Sequence, residues 1–188
     1  MTNTFFTIGH STRTVAEFID LLRESQADFV IDVRSMPRSR TNPQFNGESL
    51  PATLASWQIG YEHIASLGGH RGRARNVEGS PNAYWRVRGF LNYADYALTE
   101  PFATGLARLR KLGFQHSCAI MCAEAVWWRC HRRLIADYLL AAGDRVVHIL
   151  GPSHVDEAQL TPSAVVRDNG TVIYPAEDSL PNVDDGRS

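Results

Sequence analysis

At 188 residues, with 44% apolar and 21% charged residues, the chain is long enough to bury a full core. A net charge of −1 excludes a molecule that binds polyanions over its whole surface. Nothing in it resembles a membrane span or a secretory leader. The three cysteines, Cys118, Cys122 and Cys130, are odd in number and share one segment, which argues against a disulfide scaffold and for a reducing cytoplasm.

Phe5 to Ile8 is a short apolar run ended by Gly9-His10-Ser11, the pattern of a strand running into a polar turn. Thr14 and Glu17 have the spacing of a capping box, and Val15, Phe18, Ile19 and Leu22 supply a helical apolar face through about Gln26. Phe29-Val-Ile-Asp-Val33 reads as a second strand, so the first elements form a βαβ unit. Arg38 to Asn46 is a polar, proline-bearing loop. Leu50 to Gln58 reads as a helix with Pro51 in its first turn, and Tyr61 to Ile64 as a third strand closed by Leu67-Gly68-Gly69. A basic loop runs from His70 to Arg88. Phe90 to Leu98 and Pro101 to Leu112 are expected helices, the second stopped by Gly113.

Cys118 to Ala123 is an uninterrupted apolar run, the signature of a strand buried on both faces, and Leu134, Ile135, Tyr138 and Leu139 then recur at helical spacing. Val146 to Leu150 makes a fifth strand, and Thr171 to Tyr174 an edge strand. This alternation predicts a Rossmann-like three-layer α/β sandwich with a mainly parallel sheet of about five strands. The expected domain covers residues 1–176, and residues 177–188 form a frayed polar tail.

In such a sheet the strand ends share one edge, where ligands bind. That edge would gather His10 and Ser11, then Asp32, Arg34 and Ser35, then Gly68, Gly69 and His70, then Cys122 and Glu124, and His148. Cys122 occupies a strand end before a helix, where a helix N-terminus and Arg129, His131 or Arg132 would lower its pKa and make it a nucleophile; a buried wall of the site is the alternative. Cys118 shares its strand parity and suits the inert role better. Asp32 and Glu124, with His10 or His131, are the candidate acids and bases, although each carboxylate also suits an ion pair with Arg34 or Arg132. Arg132 in the first turn of a helix opposes the helix dipole, and an anionic partner would relieve the conflict.

Two familiar chemistries fit poorly. Cysteine phosphatases cradle phosphate between a Cys and an Arg about six positions apart with glycines in the loop, whereas Cys122 and Arg129 enclose Val126-Trp127-Trp128. Zinc favours paired ligands at short spacing, no Cys-x-x-Cys is present, and adjacent Cys130 and His131 would point about 100° apart on a helix. No metal and no cofactor is expected. Lys111 is the only lysine, so eighteen of the nineteen basic residues are arginine, the side chain whose planar fork suits phosphate and carboxylate. Arg71, Arg73 and Arg75, followed by Tyr84, Trp85, Arg86 and Arg88, interleave cations with rings as single-stranded nucleic-acid binders do. A solvated loop packed by Trp85 is the other reading.

Thr7-Ile-Gly-His-Ser11, Asp32-Val-Arg34 with Pro37 and Ser39, Leu67-Gly68-Gly69, Phe90 with Tyr93-Ala94, and Cys122-Ala-Glu124 through Cys130-His131-Arg132 to Ile135-Ala136 together resemble the bacterial domain-of-unknown-function family four-eight-eight over about residues 4 to 150. The resemblance implies a compact α/β domain and a shared site of His10, Ser11, Asp32, Arg34, Cys122, Glu124, His131 and Arg132, but carries no reaction with it. Three functions stay open. The first is a small enzyme acting on a phosphorylated, nucleotide or nucleic-acid-related substrate, held by Ser11, Arg34, Arg71, Arg73, Trp85 and Arg132 and worked on by Cys122, Glu124, His131, Asp32 and His10. The second is a non-catalytic nucleic-acid or nucleotide module, and the third a thiol redox or sulfur-transfer protein using Cys122. Partners are then an anionic small molecule or nucleic acid, with no membrane. The sequence does not reveal the oligomeric state.

Overall fold

A computed structural model describes residues 2–72 and 79–176. Strands β1 (Thr4–Gly9), β2 (Phe29–Asp32), β3 (Gly60–His63), β4 (Cys118–Cys122), β5 (Arg145–Gly151) and β6 (His154–Glu157) form one sheet in the order β3-β2-β4-β1-β5-β6. All neighbours are parallel except β5 and β6. The sheet is thus six strands wide rather than five, because the sequence reading missed β6. This edge strand is mostly exposed and lacks the apolar alternation that marks a strand.

The helices are α1 (Val15–Glu24), α2 (Leu50–Ala55), α3 (Arg88–Tyr96), α4 (Glu100–Gly113) and α5 (Arg132–Ala141). The α/β three-layer, Rossmann-like architecture follows from the two-fold alternation of each strand. On β4, Cys118, Ile120 and Cys122 face a core built with α3, α4 and α5, including Tyr93, Phe102, Leu109, Leu134 and Ile135. Ala119 and Met121 face the other way, into a core with α1 and α2, including Phe18, Leu22, Leu50 and Leu54. Both faces of the central strands are dry, which is why they read as uninterrupted apolar runs.

The capping box forms as its spacing predicts: the Thr14 hydroxyl accepts from the Glu17 N–H, and the Glu17 carboxylate accepts from the Thr14 N–H at 2.7 Å. Two expectations are corrected. Thr171 to Tyr174 does not edge the main sheet. Its core, β8 (Val172–Ile173), pairs antiparallel with β7 (Val165–Val166) in a separate ladder. Tyr174 then sinks into the core and donates to Asp137 at 2.9 Å. Gly113 is not the stop of α4 but its last residue, ahead of the capping Phe114.

Gly113 has a different reason to be glycine, since a Cβ there would lie 2.3 Å from the Phe5 ring. Helix propensity alone would have Gly113→Ala stabilise by about 0.5–1 kcal/mol. The close approach reverses the sign, and overpacking should destabilise the protein by about 1–3 kcal/mol. A lowered urea midpoint at unchanged slope is the expected result; a raised midpoint would show that the Phe5 contact does not decide the position.

Candidate functional site

The sheet reverses its winding between β1 and β4. The first crossover leaves β1 over the α1 face toward β2, while the crossover from β4 uses α5 on the opposite face to reach β5. The loops after β1 and β4 therefore part beside each other, and open α/β sheets bind ligands at such a point. They are laced together, His10 N–H donating to Cys122 O at 2.9 Å and Ser11 N–H to Ala123 O at 3.0 Å. Only glycine serves at Gly9, where a Cβ would lie 1.8 Å from the Glu124 carbonyl oxygen. Above this junction opens a cleft of about 500 Å³. Arg34, Arg38, Arg129 and Glu124 line it together with Met36, Val87 and Phe90, and so do Cys122, Cys130 and His131.

Donors converge on Cys130. Cys122 Sγ stands 2.8 Å from Cys130 Sγ, the Arg132 Nε–H donates to that sulfur at 3.3 Å, and the Arg132 backbone N–H does so at 3.5 Å. His131 Nδ1 is 3.5 Å away. Burial by itself pushes the Cys130 thiol up, but the Cys122 hydrogen bond, His131 and the Arg132 charge more than reverse this and hold it well below the ordinary thiol range. Cys122 moves the opposite way: burial and its neighbour Cys130 push it well up. Cys118 lies in the core, with its thiol raised to about 12 by burial. The lowering expected for Cys122 thus belongs to Cys130. Sequence spacing misled here because a loop and a short 3-10 turn (Trp127–Arg129) separate Cys122 from α5, and the N-terminal N–H of that helix meets Cys130 instead.

Cys130 and His131 also escape the expected divergence, because they precede the helix in a turn rather than ride on it. His131 is fixed from its far side: Nε2 lies 2.9 Å from the Val33 carbonyl oxygen, which only accepts, so Nε2 carries the proton and Nδ1 faces the sulfur. Gly69 makes room for this ring, since a Cβ there would lie 2.5 Å from His131 Nδ1.

Arg132 is the largest fully buried side chain, at 1% exposure. Its guanidinium donates to the Glu124 carbonyl oxygen at 2.6 Å, to Thr7 Oγ1 at 3.5 Å and to Cys130 Sγ. Among the described residues no carboxylate lies within ion-pair distance of it. Thr7 passes its own hydrogen bond to His148 Nδ1 at 2.7 Å, and Trp127 stacks on that imidazole with ring centres 4.5 Å apart. His148 therefore sits within the sheet beside Thr7, not at a strand end in the cleft.

Of the two candidate carboxylates, Asp32 follows the ion-pair reading and Glu124 does not. Asp32 is buried and fully engaged by the Arg34 backbone N–H, by Arg34 Nε at 2.9 Å and Nη2 at 2.6 Å, and by the Tyr61 hydroxyl at 2.7 Å. Asp32 does not line the cleft and positions Arg34, which does. Arg34 Nη1 approaches His10 Nε2 at 3.3 Å, and His10 Nδ1 donates to Ser11 O at 3.0 Å. Burial, chiefly, and the Arg34 charge lower the pKa of His10, which stacks on Phe45 at 4.4 Å. Glu124 is exposed at the cleft.

The arginine-rich loop changes most. Trp85 is only 7% exposed, lies in the core against Phe90, Tyr84 and Tyr174, and has no face left for a base. Arg71 folds back onto the Gly68 and Ala65 carbonyls and over the Tyr96 ring, away from the cleft. Arg73 and Arg75 lie outside the described residues. Ser11 occupies the left-handed turn after β1 at φ 47° and does not line the cleft either. What sequence reasoning missed was Cys130 as the sulfur on which the donors converge; its one signal was the unmatched Arg132, which pointed to an anion nearby. Among the described residues no group of three or more His, Cys, Asp or Glu is arranged to hold a metal ion, and no helix is long and apolar enough to cross a membrane.

The family model named Domain of unknown function DUF488 matches residues 14–139, well over half of the chain. The chain belongs to this family. The match takes in every DUF488 residue around Cys130 described above except Thr7 and His148, and begins after His10 and Ser11. Neither the curated proteins nor the solved structures contain a match to this DUF488 chain.

His148 yields a pH dependence. Burial, with the Arg132 charge, pushes its pKa down from 6.5 to about 4. Between those values the unfolded chain binds a proton that the folded protein refuses, so stability rises with pH there and is lost as pH falls. Urea unfolding should show a fall in stability from pH 6.5 toward 4 that is shallower in His148→Gln. Parallel curves for the two proteins would remove His148 from the acid response.

Proposed function

We propose that this DUF488 protein is a thiolate enzyme in which Cys130 attacks an anionic electrophile held in the cleft. The observation that carries this reading is the environment of Cys130 Sγ: a buried guanidinium, a helix N–H, an imidazole and a thiol all aim at one sulfur. A nucleophile, a base within reach and a third group orienting that base make the general pattern of nucleophilic catalysis, with the Val33 carbonyl in the third role. Cys130 as thiolate is then the anion that Arg132 otherwise lacks. The nucleophile is thus stored charged, and no proton has to leave it at the moment of attack.

Substrate choice follows from the cleft lining. Arg129 offers positive charge beside Arg34 and Arg38, which pair with Asp32 and Glu48, and Met36, Val87 and Phe90 offer an apolar wall. Arg34 is locked in place by Asp32, with Nη1 turned to His10 Nε2, so it lines the cleft without the entropy loss of ordering a free arginine. A non-catalytic nucleic-acid module has less to stand on, because Trp85 is packed into the core and Arg71 is committed to backbone carbonyls.

Alkylation followed by peptide mapping tests this. At neutral pH Cys130 should react well before Cys118 and Cys122, and iodoacetate should outpace iodoacetamide, in reverse of their intrinsic order, because the site favours anions. Arg132→Met should slow Cys130 at neutral pH by about tenfold for each unit its pKa rises, and His131→Asn should slow it as well without removing the buried cation. Equal reactivity of Cys130 and Cys118 would defeat the reading.

A further inference from the structure

The second thiol has no task in a simple nucleophile scheme. Cys122 lines the same cleft as Cys130, its sulfur is 2.8 Å from Cys130 Sγ, and it receives the Glu124 N–H at 3.3 Å. A cysteine that served only as wall would need neither the sulfur contact nor the amide. We propose that Cys122 and Cys130 act as a dithiol couple that reduces carboxylate-bearing, low-molecular-weight disulfides, with Cys130 attacking and Cys122 resolving. This rests on the thiolate reading above and adds to it a substrate class and a second reacting atom.

The steps balance. The Cys130 thiolate attacks one sulfur of R–S–S–R′, forming a Cys130–S–S–R bond and breaking the substrate S–S bond, and the R′S⁻ leaving group takes the Cys122 proton to depart as R′SH. The Cys122 thiolate then attacks Cys130 Sγ, forming the Cys122–Cys130 disulfide and releasing RS⁻. The substrate gains two electrons and the protein dithiol loses two. A small thiol reductant returns the pair to the starting state, two molecules of it leaving as their own disulfide.

The site also imposes the order of these steps. While Cys130 is an anion, its charge and hydrogen bond keep the proton on Cys122, and Arg132 is occupied with Cys130. Once Cys130 is a neutral mixed disulfide, that repulsion is gone and the Arg132 charge acts on Cys122 alone. The resolving thiol is released only after the first bond has formed.

The rest of the cleft selects the disulfide. A volume of about 500 Å³ is far larger than a peroxide or a single small anion needs. Arg129, and Arg38 on exchange of its exposed Glu48 partner, match carboxylates at the ends of a flexible disulfide, while Met36, Val87 and Phe90 offer contact to its methylene and sulfur portion. Met36 and Val87 are exposed in the free protein, and such a ligand would cover them.

Oxidised glutathione, which carries carboxylates, and cystamine, which carries amines, serve as the two probes, with intact-mass and peptide-mass readouts. Wild-type protein treated with oxidised glutathione should become lighter by the pair of hydrogens lost, show a Cys122–Cys130 cross-linked peptide, and release both halves of the probe as thiol. Cys122→Ser, and Cys122→Ala as a second variant, should instead retain one glutathione on Cys130. Oxidised glutathione should react about tenfold or more faster than cystamine. A stable glutathione adduct on Cys130 of the wild type overturns the resolving role of Cys122 while leaving Cys130 a thiolate. Rapid alkylation of Cys130 with cystamine the faster disulfide overturns the substrate class. Failure of both the disulfides and the alkylation arm would sink the thiolate reading itself.

Discussion

A guanidinium sealed inside a protein calls for negative charge beside it, and the partner set against Arg132 is the sulfur of Cys130 rather than a carboxylate. An uncompensated buried cation costs several kcal/mol, so the fold can keep Arg132 inside only while something nearby is anionic. Much of the surrounding structure serves that pairing. Thr7 and the Glu124 carbonyl satisfy the guanidinium protons that the sulfur does not, Val33 holds His131 against the same sulfur, and Gly69 leaves the ring its space. The topology of the sheet brings these parts together. Thr7 comes from β1, Val33 follows β2, and Cys130 and Arg132 follow β4, so the site exists only at the point where the sheet changes winding direction.

The same arrangement separates charged from neutral groups over short distances. Cys130 is held low and Cys122 high although their sulfurs are in contact. His10 and His148 are both held toward the neutral form by burial and by arginines. Asp32 is saturated by Arg34 and Tyr61 and acts as a fixture. A thiol held low thus lies beside one held high, under a cleft lined by Arg34, Arg38, Arg129 and Glu124.

The architecture was largely legible in the sequence because its signals are strong. Uninterrupted apolar runs such as Cys118 to Met121 occur where both faces of a strand are covered, and the Thr14–Glu17 pair is a local hydrogen-bond pattern that needs no tertiary context. β6 escaped because an exposed edge strand has no reason to alternate. The place of the cleft was legible too, since strand ends fall on one edge. Which cysteine is charged was not, because that depends on a turn, Trp127 to Cys130, that sets the helix start ten residues past Cys122 and places the N–H of Arg132 on Cys130. Trp85 misled for a related reason: sequence shows a ring among arginines but not which side of the loop faces the core.

Selective labelling with 13C at the cysteine Cβ, followed by an NMR pH titration of the folded protein, tests the central pairing most directly, because it reports the charge of each sulfur without a reagent entering the cleft. The Cys130 signal should stay at its thiolate position down through neutral pH, while Cys118 and Cys122 remain thiols throughout. A Cys130 midpoint at or above the free-thiol value of about 8.5 would contradict the account, since Arg132 would then be a buried charge matched by something other than that sulfur.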